Sequence, residues 1–176
     1  MKIALYCPNK PLDHPNPSGD LIIARLDVPA QVRARIGEIA LHDQLAAVGR
    51  HAPEAGVEGR VSFESAGLKD KHVGDTADPR TIEACATRGY DLGAFRCREI
   101  SAADFATSDL ILAMDRDNLR QLEERRPAGN RVRIELFLGD REVPDPYYGE
   151  ADGFTVMMDQ IEAGARRLLT TLGDGA

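Results

Sequence analysis

The 176-residue sequence has no long apolar run. After Met1-Lys2 only Ile3 to Cys7 is apolar before Pro8 interrupts, so neither a signal-peptide core nor a membrane span is present. The expectation is a cytoplasmic chain with no membrane partner. Positive charge is in deficit, with 22 Lys and Arg against 29 Asp and Glu and a formal charge of −7. That excludes a general nucleic-acid binder, which needs a basic face to neutralise phosphates. Cysteine is scarce: Cys7, Cys85 and Cys97 are an odd number without metal-ligand spacing. This fits reduced thiols better than a disulfide scaffold, and no metal or cofactor is expected. No internal repeat and no second domain are visible.

What is there describes an ordinary globule, 43% hydrophobic and 29% charged, long enough for one domain with its own core. Lys2 to Cys7 reads as a buried first strand. Four prolines between Pro8 and Pro17 then exclude regular structure, and this segment is expected to lie over the mouth of the sheet. Ser18-Gly19-Asp20 is taken as the cap of a helix through Arg25, although Leu21 to Leu26 has strand character as well. Asp27-Val28-Pro29 opens a longer amphipathic helix that ends at Gly49.

Further on, Arg60 to Ser65 alternates as a second strand, and Asp78-Pro79-Arg80 starts a helix that Gly89 stops. Ala102 to Phe105 is a helical turn. Leu110 to Met114 is a short continuous apolar run of the kind buried on both faces by helices. A helix over Asp115 to Glu124, a strand over Val132 to Leu138 and a helix over Phe154 to Leu172 complete the chain. In the last helix Val156, Met157, Ile161, Ala165, Leu168 and Leu169 form one stripe. Strands alternating with helices imply a parallel sheet with helices on both faces, and sites in such sheets lie beyond the carboxyl ends of the strands. Lys2 to Cys7 is placed centrally, between Val61 to Glu64 and Leu110 to Met114.

One loop stands out chemically. In Val143-Pro144-Asp145-Pro146-Tyr147-Tyr148-Gly149 a carboxylate is fixed between two prolines, each of which freezes φ and removes a donor. Such a loop would present Asp145 as a general acid beside a flat aromatic substrate, with Tyr147 and Tyr148 walling the cleft. A rigid surface turn capping a strand is the other reading.

Several short stretches occur in one order: Ser65-Ala66-Gly67, His72-Val73-Gly74, Ala77-Asp78-Pro79-Arg80, Gly89-Tyr90-Asp91-Leu92, Arg96-Cys97-Arg98-Glu99, Asp104-Phe105, Asp109 to Asp115, Asn118-Leu119, the Asp-Pro-Tyr-Tyr-Gly loop and Gly153-Phe154. Together they resemble the low-molecular-weight protein tyrosine phosphatases, over about residues 33–170 and most densely from Val61 to Leu169. The resemblance implies a three-layer α/β/α domain with a four-stranded parallel sheet over residues 1–176, the segment 1–32 being atypical. It implies hydrolysis of phosphotyrosine through a cysteinyl-phosphate, on a phosphotyrosine protein or small aryl phosphate. In that family the aspartate corresponding to Asp145 protonates the leaving oxygen, and the tyrosines corresponding to Tyr147 and Tyr148 line the entrance.

The family's phosphate loop, Cys-x5-Arg-Ser after the first strand, is disrupted here. Aligned by the strand, Cys7 takes the nucleophile position, but Asp13 stands six residues later and would repel phosphate. Aligned by the helix, Arg33 becomes the phosphate arginine, and Asp27, Ala30 and Ala34 replace the nucleophile, asparagine and serine. A third arrangement reunites Cys7 with Arg33 through folding. On the bland side, Cys7 is a small apolar residue at a strand end and Arg33 a solvated helix residue. Cys85 reads as core, Cys97 as a turn residue made electropositive by Arg96 and Arg98, and His72 as a surface residue or a partner for a serine such as Ser65. Residues 1–25 resemble the opening of two-domain glycosyltransferases, without a nucleotide-sugar site. Two functions follow: a phosphotyrosine phosphatase with Asp145 as acid, or a catalytically inactive relative acting as a binding or regulatory module. The arsenate-reductase branch, which needs the same loop, is a weaker third.

Overall fold

Leu110 to Ala113 is the strand about which the molecule is built, because all four residues are buried and their neighbours alternate between two cores. Leu110 and Leu112 face a cluster with Cys85, Phe137, Met158, Ile161 and Leu169, whereas Ile111 and Ala113 face one with Phe105, Leu122 and Leu136. A strand apolar on both faces must be covered on both. The computed structural model describes residues 2–3, 20–26, 61–70, 73–144 and 152–174. The strands among them are β1 (Lys2–Ile3), β2 (Asp20–Leu26), β3 (Val61–Gly67), β4 (Leu110–Ala113) and β5 (Arg133–Leu136). The helices are α1 (Pro79–Thr87), α2 (Ala102–Thr107), α3 (Arg116–Arg125) and α4 (Asp152–Asp174).

The sheet order is β1-β3-β2-β4-β5. β4 and β5 are parallel, as are β1 and β3, while β2 runs antiparallel to β3 and β4. The expected all-parallel, four-stranded sheet is therefore not the pattern of the described residues. Two local expectations are corrected with it. Asp20–Leu26 is a strand and no helix, since it carries the β-branched pair Ile22-Ile23 in an apolar run whose backbone pairs with β4 from Leu21↔Ala113 to Ala24↔Leu110. The slot between β3 and β4 is consequently filled by β2 and not by the first strand. Of the segment Lys2 to Cys7 only Lys2–Ile3 lies within the described residues, where it pairs with β3 and β2.

The helices begin where their caps dictate. Asp78 accepts the Arg80 N–H at 2.7 Å, with Pro79 in the tolerated first turn and Gly89 in a left-handed conformation (φ 76°) after the end of α1. Ser101 donates through its N–H and hydroxyl to Asp104, at 2.8 and 2.9 Å, to open α2. Asp115 accepts the Asn118 N–H at 2.6 Å to open α3. In α4, Met157, Ile161, Ala165 and Leu169 are buried and Leu168 partly so, but Val156, expected in the same stripe, is 47% exposed. Gly164 lies so close to Phe137 that a Cβ would sit 2.7 Å from its ring. Among the described residues no helix is long and apolar enough to cross a membrane, and no His, Cys, Asp and Glu cluster could hold a metal. Cys85 is a fully buried thiol with Sγ 3.8 Å from Met158 Sδ, and Cys97 is partly buried against the same core. The helix expected from Asp27 to Gly49 lies outside the described residues.

Candidate active site

In a sheet of this kind the site belongs beyond the carboxyl ends of the parallel strands, which here are Gly67, Ala113 and Leu136. The end of β3 is clamped by the segment after α1: Gly67 N–H donates to Arg98 O at 2.7 Å, and Ile100 N–H to Gly67 O at 2.9 Å. The end of β4 passes through Met114 into Asp115, whose carboxylate accepts both the N–H and the Nδ2 of Asn118. Asn118 is fully buried, so this turn is fixed by the two hydrogen bonds that its N–H and Nδ2 give to Asp115 as well as by packing.

The chain leaving β5 is tied down repeatedly on its way to Pro144. Phe137 N–H donates to Ala113 O at 2.8 Å, Arg167 of α4 donates to Phe137 O at 2.8 Å, and Gly139 turns with φ 82°. Val143 N–H then donates to Met114 O at 2.8 Å, and Arg116 reaches both Asp140 O and the Glu142 carboxylate. The stem of the Pro-Asp-Pro-Tyr-Tyr loop is therefore delivered to the end of β4. Sequence reasoning singled out the loop but missed this stem. The signal was weak, since only the pairing of Arg116 with Glu142 across 26 positions gives it away.

The residues expected from sequence to carry the chemistry, Cys7, Arg33, Asp145, Tyr147 and Tyr148, lie outside the described residues, as do Asp27 and His72. What is described bears on the approaches to them. Asp20 pairs with Gly67, while Leu26 pairs with Val61 at the opposite end of β3. β2 thus begins at the end where the Val143 stem sits and finishes at the far end. With Leu21 to Leu26 in the sheet the alignment of Lys2 to Cys7 as the central strand loses its support, and the direction of β2, which finishes far from the Val143 stem, gives none to the alignment that starts the loop at Asp27. Cys85 is core, as expected, and Cys97 is partly buried against that core.

A separate hollow of about 490 Å³ opens between α1 and α4, lined by Arg80, Glu83, Thr87, Arg88, Phe154 and Thr155. Its guanidinium groups are engaged. Arg80 pairs with Asp78 at 2.7 Å and lies 5.0 Å over the Phe154 ring. Arg88 contacts Asp159 at 2.8 Å and Glu162 at 3.3 Å. Burial alone would lower the Arg88 pKa, but hydrogen bonds and charge from these two carboxylates outweigh it and raise it.

A model of the family described as low molecular weight phosphotyrosine protein phosphatase matches residues 43–175. The chain belongs to that family. It is 44% identical over 128 residues to a protein of Synechocystis sp. named as a low molecular weight protein-tyrosine-phosphatase, covering 68% of this chain and 80% of that one. It is 38% identical over 128 residues to the low molecular weight phosphotyrosine protein phosphatase of Schizosaccharomyces pombe, covering 68% and 81%. Among solved structures, a protein tyrosine phosphatase from Entamoeba histolytica superposes with a TM-score of 0.69 at 28% identity, over 77% of this chain and 94% of that one. The α/β phosphatase fold of the family is thereby established. The matched region begins at residue 43, downstream of every residue tried above as nucleophile or phosphate-binding arginine.

Proposed function

We propose that the chain recognises phosphotyrosine in proteins, or a small aryl phosphate, through the cleft of its phosphatase family and carries the acid half of the reaction intact. Asp145 is the general acid and Tyr147 and Tyr148 flank the ring, at the carboxyl ends of what in the family would be a four-stranded parallel sheet within one cytoplasmic three-layer domain of residues 1–176. The observation that carries this reading is the stem at Val143, bonded to the end of β4 two residues before Asp145. In the family reaction a thiolate attacks phosphorus, the P–O bond to tyrosine breaks as the acid gives its proton to the leaving oxygen, and water then hydrolyses the cysteinyl-phosphate. The thiol half is where this chain departs. The positions six residues after Cys7, Cys85 and Cys97 are Asp13, Asp91 and Ala103, so no cysteine is followed by the arginine that would hold the phosphoryl group. Cys7 and Arg33 remain the candidates for nucleophile and phosphate arginine.

A second reading, a catalytically inactive relative that binds without turnover, is favoured by the direction of β2, which ends at the far end of the sheet from the Val143 stem. General acid catalysis alone contributes only about 10²–10⁴-fold, and groups that act as a unit fail together. Hydrolysis of an aryl phosphate near pH 6, with and without Cys7→Ser, and binding of a phosphotyrosine peptide separate the readings. Very weak turnover with measurable binding is expected, and Cys7→Ser should leave any remainder unchanged. Robust turnover abolished by Cys7→Ser would make Cys7 the nucleophile and end the inactive reading. Neither binding nor turnover would sink both.

A further inference from the structure

Helix α3 begins with an unusual division of labour at its amino end. A helix leaves its first N–H groups without intrahelical partners. The N-cap Asp115 satisfies that of Asn118, while the N–H of Arg116, the first helical residue, donates at 3.0 Å to Glu142, a carboxylate 26 positions away. The same Arg116 returns the contact, its Nη2 donating to Asp140 O at 3.0 Å. With Val143 N–H on Met114 O, three bonds staple residues 140–143 to the end of β4.

Stability is not the reason for this arrangement. The Arg116 and Glu142 side chains are 68% and 48% exposed and their charged atoms are 3.8 Å apart, and surface pairs of that kind contribute little. Geometry is the better account, since a carboxylate at a helix amino end is held by both the orphan N–H and the helix dipole. We propose that Arg116 and Glu142 are positioning residues for the acid arm, fixing Val143-Pro144 and thereby the point from which Asp145 departs. Pro144, with φ locked, passes that position on. This rests on the reading of Asp145 as the acid.

The test is native-state amide exchange followed by NMR on the full chain and on Arg116→Ala, Glu142→Ala and Glu142→Gln. Exchange at Val143 should quicken about tenfold in both alanine variants, the equivalent of one net hydrogen bond, while Ile111 and Leu112 of β4 stay as they were. Glu142→Gln keeps an acceptor for the Arg116 N–H and should restore protection. Residual aryl phosphate turnover in the same variants should lose kcat, with KM unchanged, for the alanines and recover for the glutamine. Unchanged exchange at Val143 in both alanine variants overturns the proposal whatever the activity. Faster exchange with undiminished kcat overturns it too, because the arm would then move without consequence for the acid. Faster exchange in a protein that neither hydrolyses aryl phosphate nor binds phosphotyrosine peptide supports the staple and removes only the phosphotyrosine reading.

Discussion

The two faces of β4 are covered by different kinds of core. Under α1 and α4 the packing is large and almost wholly apolar, with Phe137, Met158, Ile161 and Leu169 at its centre. Under α2 and α3 it is smaller, and polar groups do part of the fixing: buried Asp104 is bound by Arg98 and Ser101, buried Asn118 by Asp115, and part-buried Asn130 donates to Phe105 O at 2.7 Å while accepting Val132 N–H. The first face is held mainly by volume, its buried Asp78 serving the cap of α1, and the second leans more on hydrogen bonds between segments. The difference matters for function, because α3 and its Asp115 cap form the ground on which the Val143 stem rests, and polar bonds specify direction where apolar contact does not.

The comparison can be broken most directly on the apolar face. Leu169→Ala empties a fully buried position and should cost about 2–5 kcal/mol in urea unfolding. A cost below that of any substitution under α3 would mean that the large core is loosely packed. On the polar face, Asp104→Ala removes a buried carboxylate that Arg98 grips with two bonds of 2.9 Å. About 2–3 kcal/mol should be lost, less than for an isolated buried pair because Arg98 is partly exposed and also lies 3.8 Å from Glu64. If Asp104→Asn costs as much as alanine, the charge is what matters and not the hydrogen bonds.

Gly164→Ala sharpens the contrast from the other direction. The added methyl would meet the Phe137 ring at 2.7 Å, and relief requires the ring or α4 to shift, at about 1–3 kcal/mol. A neutral result, read from thermal unfolding, would show that the apolar face yields more easily than its burial suggests.

The smallest effect belongs to the outer surface of α3. The hydrogen bond from Arg120, helped by Gln121, holds Asp117 below its ordinary value of 3.8 despite some desolvation. A depressed carboxylate contributes stability that is present above its unfolded pKa and lost as pH falls through its folded one. The pair is exposed, so screening leaves only a slight slope in acid unfolding, and Asp117→Asn should remove that slope together with the slight stabilisation it carries at neutral pH. A difference between variant and parent as large in acid as at pH 7 would contradict this.

How much could be read without coordinates follows the range of the forces. The start at Asp78-Pro79 and the stop at Gly89 were readable because a cap is satisfied within about four residues of itself. The fully buried run at β4 was readable because length and composition alone mark it. The strand over Asp20–Leu26 was missed for the opposite reason. Five apolar residues with no clear period fit either helix or strand, and only pairing with Ala113 to Leu110, some ninety positions away, decides.

The sequence by itself determined the family motifs, the cap at Asp78-Pro79, the stiff Asp-Pro-Tyr-Tyr loop and the absence of a Cys-x5-Arg pattern, since each is a matter of residue type at short spacing. The tertiary structure alone decided the direction of β2, the assignment of β4 side chains to two cores and the stapling of residues 140–143 to α3. Strand direction and long-range capping are fixed by which distant backbone groups are brought within hydrogen-bond distance, and no local propensity encodes that choice.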